Sequence, residues 1–91
     1  MKRVRENEVK EILKSFNQQN LKIQIEGIFK QECFIENAEI LFSDNDIEFK
    51  IKGNKNNMIF NLSYIEEIYF FEKNKLKFLT NMDLEILISF L

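Results

Sequence analysis

The 91-residue sequence contains no histidine, proline or tryptophan, and it has only one cysteine, one alanine and two glycines. Without histidine the chain lacks the commonest metal ligand and the commonest general base of enzymes. The lone Cys33 rules out an intramolecular disulfide, and we interpret it as a small hydrophobic core residue. Because most metalloenzyme and triad chemistry needs these missing residues, the sequence predicts a protein that is not an enzyme. No catalytic, metal-binding or cofactor-binding residue is assigned.

Long hydrophobic runs are missing as well. The longest apolar segments are short, as in Ile86-Leu87-Ile88, whereas a membrane-spanning helix needs about 20 apolar residues. The basic N-terminus is not followed by an apolar stretch, so a secretory signal is not expected and a cytoplasmic protein is predicted. With 45% hydrophobic and 31% charged residues, the composition is typical of a folded globular chain with one core.

The first part of the chain has the spacing of an amphipathic helix. Apolar residues recur at intervals of three and four, which places them on one face of a helix over about residues 3–18. Polar residues end this segment. From Leu21 the apolar residues recur at every second position, as in a strand with one solvent-exposed face. The residues of the helical apolar stripe are Val9, Ile12, Leu13 and Phe16.

The rest of the chain, about residues 21–90, alternates in the manner of short strands separated by turn-forming residues. Residues 38–52 predict a hairpin around Ser43-Asp44-Asn45-Asp46, and residues 53–57 predict a second turn. Connections this short favour antiparallel neighbours. We therefore predict a single α+β domain, residues 1–91, in which the N-terminal helix packs on a six- to seven-stranded antiparallel meander or partly open barrel.

Three segments between residues 38 and 90 resemble bacterial pleckstrin-homology-like and GRAM-like domains in their pattern of hydrophobic residues. The segments are AEILFSDNDIEFKI, FNLSYIEEIYF and KLKFLTNMDLEILISF. The resemblance implies a PH-like fold and a module that binds a lipid or a small ligand, or that self-assembles. The sequence departs from that family where its lipid-binding members carry basic residues, because the corresponding residues 30–36 are acidic, and its long helix comes first rather than last.

Charge is unevenly distributed along the chain. Between Glu26 and Glu48 there are seven acidic residues and a single basic one, Lys30. Such a field repels nucleic acid and anionic lipid and attracts a positively charged protein surface. The residues predicted to bind a basic protein partner are Glu32, Glu36, Glu39, Asp44, Asp46 and Glu48.

These features together predict a small non-enzymatic protein-binding module that uses an acidic surface. An inhibitor or immunity factor of a phage or mobile element is the predicted type, because the chain combines an acidic surface with the lack of a recognisable catalytic site. The alternative is the PH-like ligand-binding or self-assembling module. The last residues, 84–91, are apolar on both faces, which leaves a homodimer through the C-terminal strand as a further possibility.

Overall fold

The computed structural model describes residues 2–50, 58–71 and 74–91. These residues form one α-helix and eight strands, and the second predicted turn, at residues 53–57, lies outside them. A 3-10 turn, Leu62–Tyr64, separates the fifth and sixth strands. In chain order the elements are β1 (Lys2–Val4), α1 (Glu6–Ser15), β2 (Gln19–Glu26), β3 (Gln31–Phe42), β4 (Asp46–Lys50), β5 (Met58–Asn61), β6 (Ile65–Phe71), β7 (Lys75–Thr80) and β8 (Glu85–Phe90).

The strands form one antiparallel sheet in the order β1-β6-β7-β8-β2-β3-β4-β5. The predicted six- to seven-stranded meander is therefore wrong, both in strand number and in connection. Two runs of consecutive strands, β2 to β5 and β6 to β8, are joined because β8 pairs with β2. The strands at the two ends of this order are β1 and β5, and no ladder between them is present in the part of the chain that the structure describes.

Strand β8, which was predicted to be apolar on both faces, lies inside the sheet and not at its edge. This strand lies between β7 and β2, so both of its edges are already hydrogen-bonded. Ile86, Ile88 and Phe90 are buried on the inner face, and Ser89 is buried on the outer face. Strand β8 therefore lies in the interior of the sheet, whereas the meander prediction placed it at an end.

The predicted helix over residues 3–18 is also too long. Residues 2–4 are extended and pair with β6, with Val4 opposite Ile68. The N–H of Arg5 donates to Glu8 Oε1 over 3.3 Å at the start of the helix. The local sequence favoured a helix from residue 3. Residues 2–4 instead pair with the edge of β6, and Val4 is buried there.

A bulge bends the twelve-residue strand β3. Its first part pairs with β2 and its last part with β4, and the register shift opposite residues 19–21 leaves one extra residue on β3. Asn37 has a φ of 48° at this point, a conformation that asparagine tolerates better than most residues. The bend lets one strand continue the ladder around a corner of the sheet.

The core lies between the curved sheet and α1. Val9 and Leu13 on the helix are completely buried, as are Phe49 and Phe78 on the sheet. Phe16, which follows the helix, stacks on Phe90 with ring centroids 4.1 Å apart and an interplanar angle of 11°. Of the predicted apolar helix stripe, Val9 and Leu13 are buried in the core, and Ile12 and Phe16 pack against it partly buried. In the described residues no helix has the length and apolar character that crossing a membrane requires.

Candidate functional site

Most of the predicted partner-binding carboxylates share the outer face of β3 and β4. Ile35, Ala38 and Ile40 point into the core from β3, and Ile47 and Phe49 do so from β4. Because side chains alternate along a strand, the residues between them point outwards. We call this set of outward residues the acidic face; it consists of Glu32, Glu36, Glu39, Asp46 and Glu48.

The strand register sets the spacing within the acidic face. Glu39 lies opposite Lys50, and Glu48 lies opposite Leu41 on one side and Ile59 on the other. The sixth predicted residue, Asp44, is exposed in the turn between β3 and β4. The structure thus brings five of the six predicted carboxylates onto one face and places the sixth at its end.

Neutralisation of the acidic face is incomplete. Lys22 on β2 forms an ion pair with Glu32, with Nζ and Oε1 3.2 Å apart. Strand β3 contains no lysine or arginine of its own. Lys50 lies opposite Glu39, but the five carboxylates of the acidic face outnumber Lys22 and Lys50, so its potential stays negative.

An exposed aromatic residue lies within this acidic surface. Phe34 follows Glu32 by two positions and precedes Glu36 by two, and its ring is 62% exposed. The Nζ of Lys22 lies 5.5 Å from the ring centroid, a distance typical of a cation–π contact. Phe34 was not predicted as a surface residue, because residues 33–35, Cys-Phe-Ile, are all apolar and do not alternate with polar residues.

A second surface lies where β2, β8 and the β7–β8 turn meet β5 and the start of β6. An apolar groove of about 230 Å³ is present there. Met82 in the turn is 53% exposed at this groove. We call this the apolar groove; its main lining residues are Ile25, Phe60, Ile65, Met82, Leu84 and Ile86.

The hairpin tip between β2 and β3, residues 27–30, lies beside the apolar groove. A Cβ at Gly27 would overlap Cδ2 of Leu84, which shows how closely the tip contacts the groove wall. Ile28 and Phe29 project from the tip and are 94% and 78% exposed. The exposed pair Ile28 and Phe29 was not predicted, because only the charge of this stretch pointed to a function.

A polar groove of about 440 Å³ lies between β1, the start of α1 and the start of β6. Arg3 and Glu67 form an ion pair there over 3.7 Å. The Tyr69 hydroxyl donates to Glu67 Oε2 over 2.9 Å. This hydrogen bond, with partial burial and the nearby negative charge, raises the pKa of Tyr69 above its ordinary value, while Arg3 opposes the effect. Acidic and basic side chains mix in this groove, so it does not favour a ligand of one charge.

The described residues contain no group of three or more acidic or cysteine side chains arranged to hold a metal ion. Each buried side-chain nitrogen or oxygen in that part of the chain has a hydrogen-bond partner. An orphaned polar atom often marks a site for a ligand or ion.

Comparison of the chain with protein-family models, with curated proteins and with solved structures found no match. The resemblance to pleckstrin-homology-like and GRAM-like domains therefore stays a prediction from sequence.

Proposed function

We propose that this chain is a small non-enzymatic protein-binding module whose acidic face docks on a basic surface of a partner protein. An inhibitor or immunity factor of a phage or mobile element is a protein of this type. The observation that carries the proposal is the outward placement of five carboxylates on β3 and β4, together with the exposed Phe34 between Glu32 and Glu36.

The two components of this surface have different roles in the proposed binding. Clustered carboxylates on adjacent strands attract a positive partner over about 8–10 Å at moderate ionic strength, and they raise the association rate. Phe34 supplies apolar area that a partner can desolvate, as the aromatic anchors of interfaces do. The carboxylates thus give orientation and specificity, and the ring contributes to the lifetime of the complex.

The same charge disfavours other ligands. DNA and RNA carry a dense negative charge, and their binding needs basic groups that neutralise phosphates. Such groups are absent from β3, so direct nucleic-acid binding does not belong to the proposal. Dimerisation through the C-terminal strand does not belong to it either, because β8 is paired on both edges.

The test combines affinity capture with matched charge variants. The wild-type chain is immobilised at low salt and exposed to a lysate of cells that carry its gene. The captured protein is then purified and its affinity is measured by calorimetry at several salt concentrations. In the triple variant E36Q/E39Q/E48Q we expect at least a tenfold loss of affinity and a weaker salt dependence, because the attraction has been removed.

The control variant E6Q/E11Q/E66Q removes the same number of charges from α1 and β6 and leaves β3 and β4 unchanged. We expect its affinity to stay within a factor of about two of wild type, as for changes outside an interface. Equal binding by wild type and the E36Q/E39Q/E48Q variant would refute the proposed role of the acidic face.

The variant F34A tests the aromatic anchor separately. Because the ring is 62% exposed, its removal is expected to change the free energy of unfolding by no more than about 0.5 kcal/mol. Truncation of an anchor at the centre of an interface costs more than about 1 kcal/mol of binding free energy, which is a loss of affinity of fivefold or more. Unchanged affinity in F34A would show that the partner binds elsewhere.

A further inference from the structure

The hairpin tip and the apolar groove are complementary in chemistry. The tip presents Ile28 and Phe29 almost fully to solvent, and exposed neighbouring apolar residues often mark an interaction site. The groove is lined almost entirely by apolar side chains and has a volume of about 230 Å³. An apolar protein cavity of about 150 Å³ is large enough to bind benzene, so a phenylalanine ring fits the groove.

The arrangement of the two features is that of a self-complementary surface. In a twofold-symmetric dimer the same patch on both copies forms the interface. Each copy then supplies one tip that inserts and one groove that receives the tip of the other copy. Gly27 of the tip contacts Leu84 of the groove wall, so tip and groove lie side by side at one end of the sheet. A twofold axis passing between them brings each tip to the other copy's groove.

The charges around this end favour a second copy as the occupant. Glu26 at the base of the tip lies directly opposite Glu85 on β8, and like charges in this position repel each other. Lys77 forms an ion pair with Glu85 over 3.4 Å, which leaves Glu26 without a counter-ion among the described residues. Lys30 on the tip is exposed and has no ion pair in that part of the chain. A second copy would bring its own Lys30 to the acidic pair.

We propose that two copies of the chain form a symmetric dimer in which Ile28 and Phe29 of each copy occupy the apolar groove of the other. Lys30 of each copy then lies near Glu26 and Glu85 of its partner copy. No residue of the acidic face lines the apolar groove, so substitutions at Glu36, Glu39 and Glu48 test the binding of a basic protein separately from the dimer.

Sedimentation analysis over a range of concentrations tests the association. We expect the wild-type chain to dimerise with a Kd below about 1 mM, and the variant I28S/F29S to lose at least tenfold in affinity. The control is F34S, which removes another exposed phenylalanine, on the outer face of β3, and is expected to dimerise like wild type. A wild-type monomer at every concentration, or a dimer unaffected by I28S/F29S, would overturn the proposal.

A charge exchange tests the orientation without removing apolar area. The variant K30E places a negative charge beside Glu26 and Glu85 of the partner copy, so we expect weaker dimerisation. The double variant K30E/E26K restores opposite charges and should recover most of the lost affinity. Failure of the double variant to recover affinity, while both variants retain wild-type circular dichroism, would contradict the proposed contact.

A cross-linking experiment distinguishes this dimer from other modes of association. In a background with C33S, the single variants F29C and M82C are mixed and oxidised. Since each chain carries one cysteine, a disulfide between the two variants forms only between copies. We expect the mixed product to exceed either homodimer. Binding of the wild-type chain to neutral phosphatidylcholine vesicles, with no cross-linked product, would instead assign the tip to a lipid surface.

Discussion

Two asparagine side chains hold the corner of the sheet at the bulge of β3. Asn17 Oδ1 accepts from the N–H of Ile40 over 2.8 Å, and Asn20 Oδ1 accepts from the N–H of Asn37 over 3.0 Å. Asn17 lies in the segment that joins α1 to β2, and Asn20 is the second residue of β2. They satisfy backbone groups close to the irregularity, where the regular ladder is interrupted.

Replacing Asn17 should therefore destabilise the fold. The variant N17A leaves the part-buried N–H of Ile40 without its acceptor, and we expect a loss of about 1–3 kcal/mol in the free energy of unfolding. The variant N17D retains an acceptor oxygen and should lose less. Urea denaturation measures both, with Q19A as the control, since Gln19 is an exposed neighbour on β2. Equal stabilities of N17A and Q19A would show that this hydrogen bond contributes nothing.

The hydrogen bond between Tyr69 and Glu67 predicts a specific pH response. The bond favours the protonated phenol, so the pKa of Tyr69 lies above the ordinary value of 10.0. The variant E67A removes the acceptor and its negative charge, and the pKa of Tyr69 should fall. Tyrosinate absorbance during an alkaline titration measures the change, and Y69F identifies which transition belongs to this residue.

The effect on stability has a definite sign. A folded-state pKa above the unfolded value means that the contribution is fully present below the unfolded pKa of 10.0. It is lost as the pH rises through the folded-state pKa. The variant E67A should therefore be less stable than wild type at neutral pH and approach it in strongly alkaline solution. A constant difference across the titration would contradict this account.

The packing of α1 on the sheet is the main energetic contribution of the helix. Leu13 is completely buried in the core, so the variant L13A should lose about 2–5 kcal/mol in the free energy of unfolding. The exposed Lys14 forms an ion pair with the exposed Glu11 over 3.6 Å, and K14A should lose no more than about 0.5 kcal/mol. Thermal denaturation followed by circular dichroism compares the two. Similar losses would indicate that the helix is not anchored through its apolar stripe.

The sequence was informative about elements with a regular apolar period. Val9 and Leu13 identified the buried side of the helix, and Ile47 and Phe49 identified the inner face of β4, because each pattern reports burial over several residues. Short elements gave weaker signals. The strand at Lys2–Val4 has three residues, and it becomes extended only because β6 provides a partner far along the chain.

Irregular elements were also hard to predict. The bulge at Asn37 shifts the alternation within β3, so Ile35 and Ala38 are both buried although they are three residues apart. A strict period of two therefore breaks in the middle of the strand. For the candidate surfaces, charge identified Glu36 and Glu39. Phe34 and the tip at Ile28 could be recognised as exposed only once the inner face of each strand was known.

At the scale of the whole molecule, the two runs of strands share one core. Phe49 on β4 and Phe78 on β7 belong to different runs, and both are completely buried in the same hydrophobic cluster. The variants F49L and F78L should each lose about 1–2 kcal/mol, between the cost of a volume-conserving exchange and that of a truncation. Each should show a single unfolding transition, because one core unfolds cooperatively.

Far-ultraviolet and near-ultraviolet circular dichroism check this cooperativity. The two signals follow backbone and aromatic side chains, and they should give the same denaturation midpoint in each variant. Separate midpoints, or a second transition in one variant only, would show that the strands from β2 to β5 unfold independently of those from β6 to β8.

The order of the strands in the sheet could not be predicted from local sequence patterns. Each strand was expected to pair with its neighbour in sequence, and this holds for β2 to β5 and for β6 to β8. The remaining pairings, β2 with β8 and β1 with β6, join residues far apart in sequence. Alternation shows which face of a strand is apolar, and it carries no information about which distant strand supplies the hydrogen bonds.

The pairing of β2 with β8 also has a consequence for synthesis. A growing chain on the ribosome presents one edge of β2 with its N–H and C=O groups unpaired until residues 85–90 have left the exit tunnel. Unpaired edges of this kind are prone to join other chains. The interval between translation of these two strands is therefore the period in which the nascent protein is most exposed to aggregation and to chaperones.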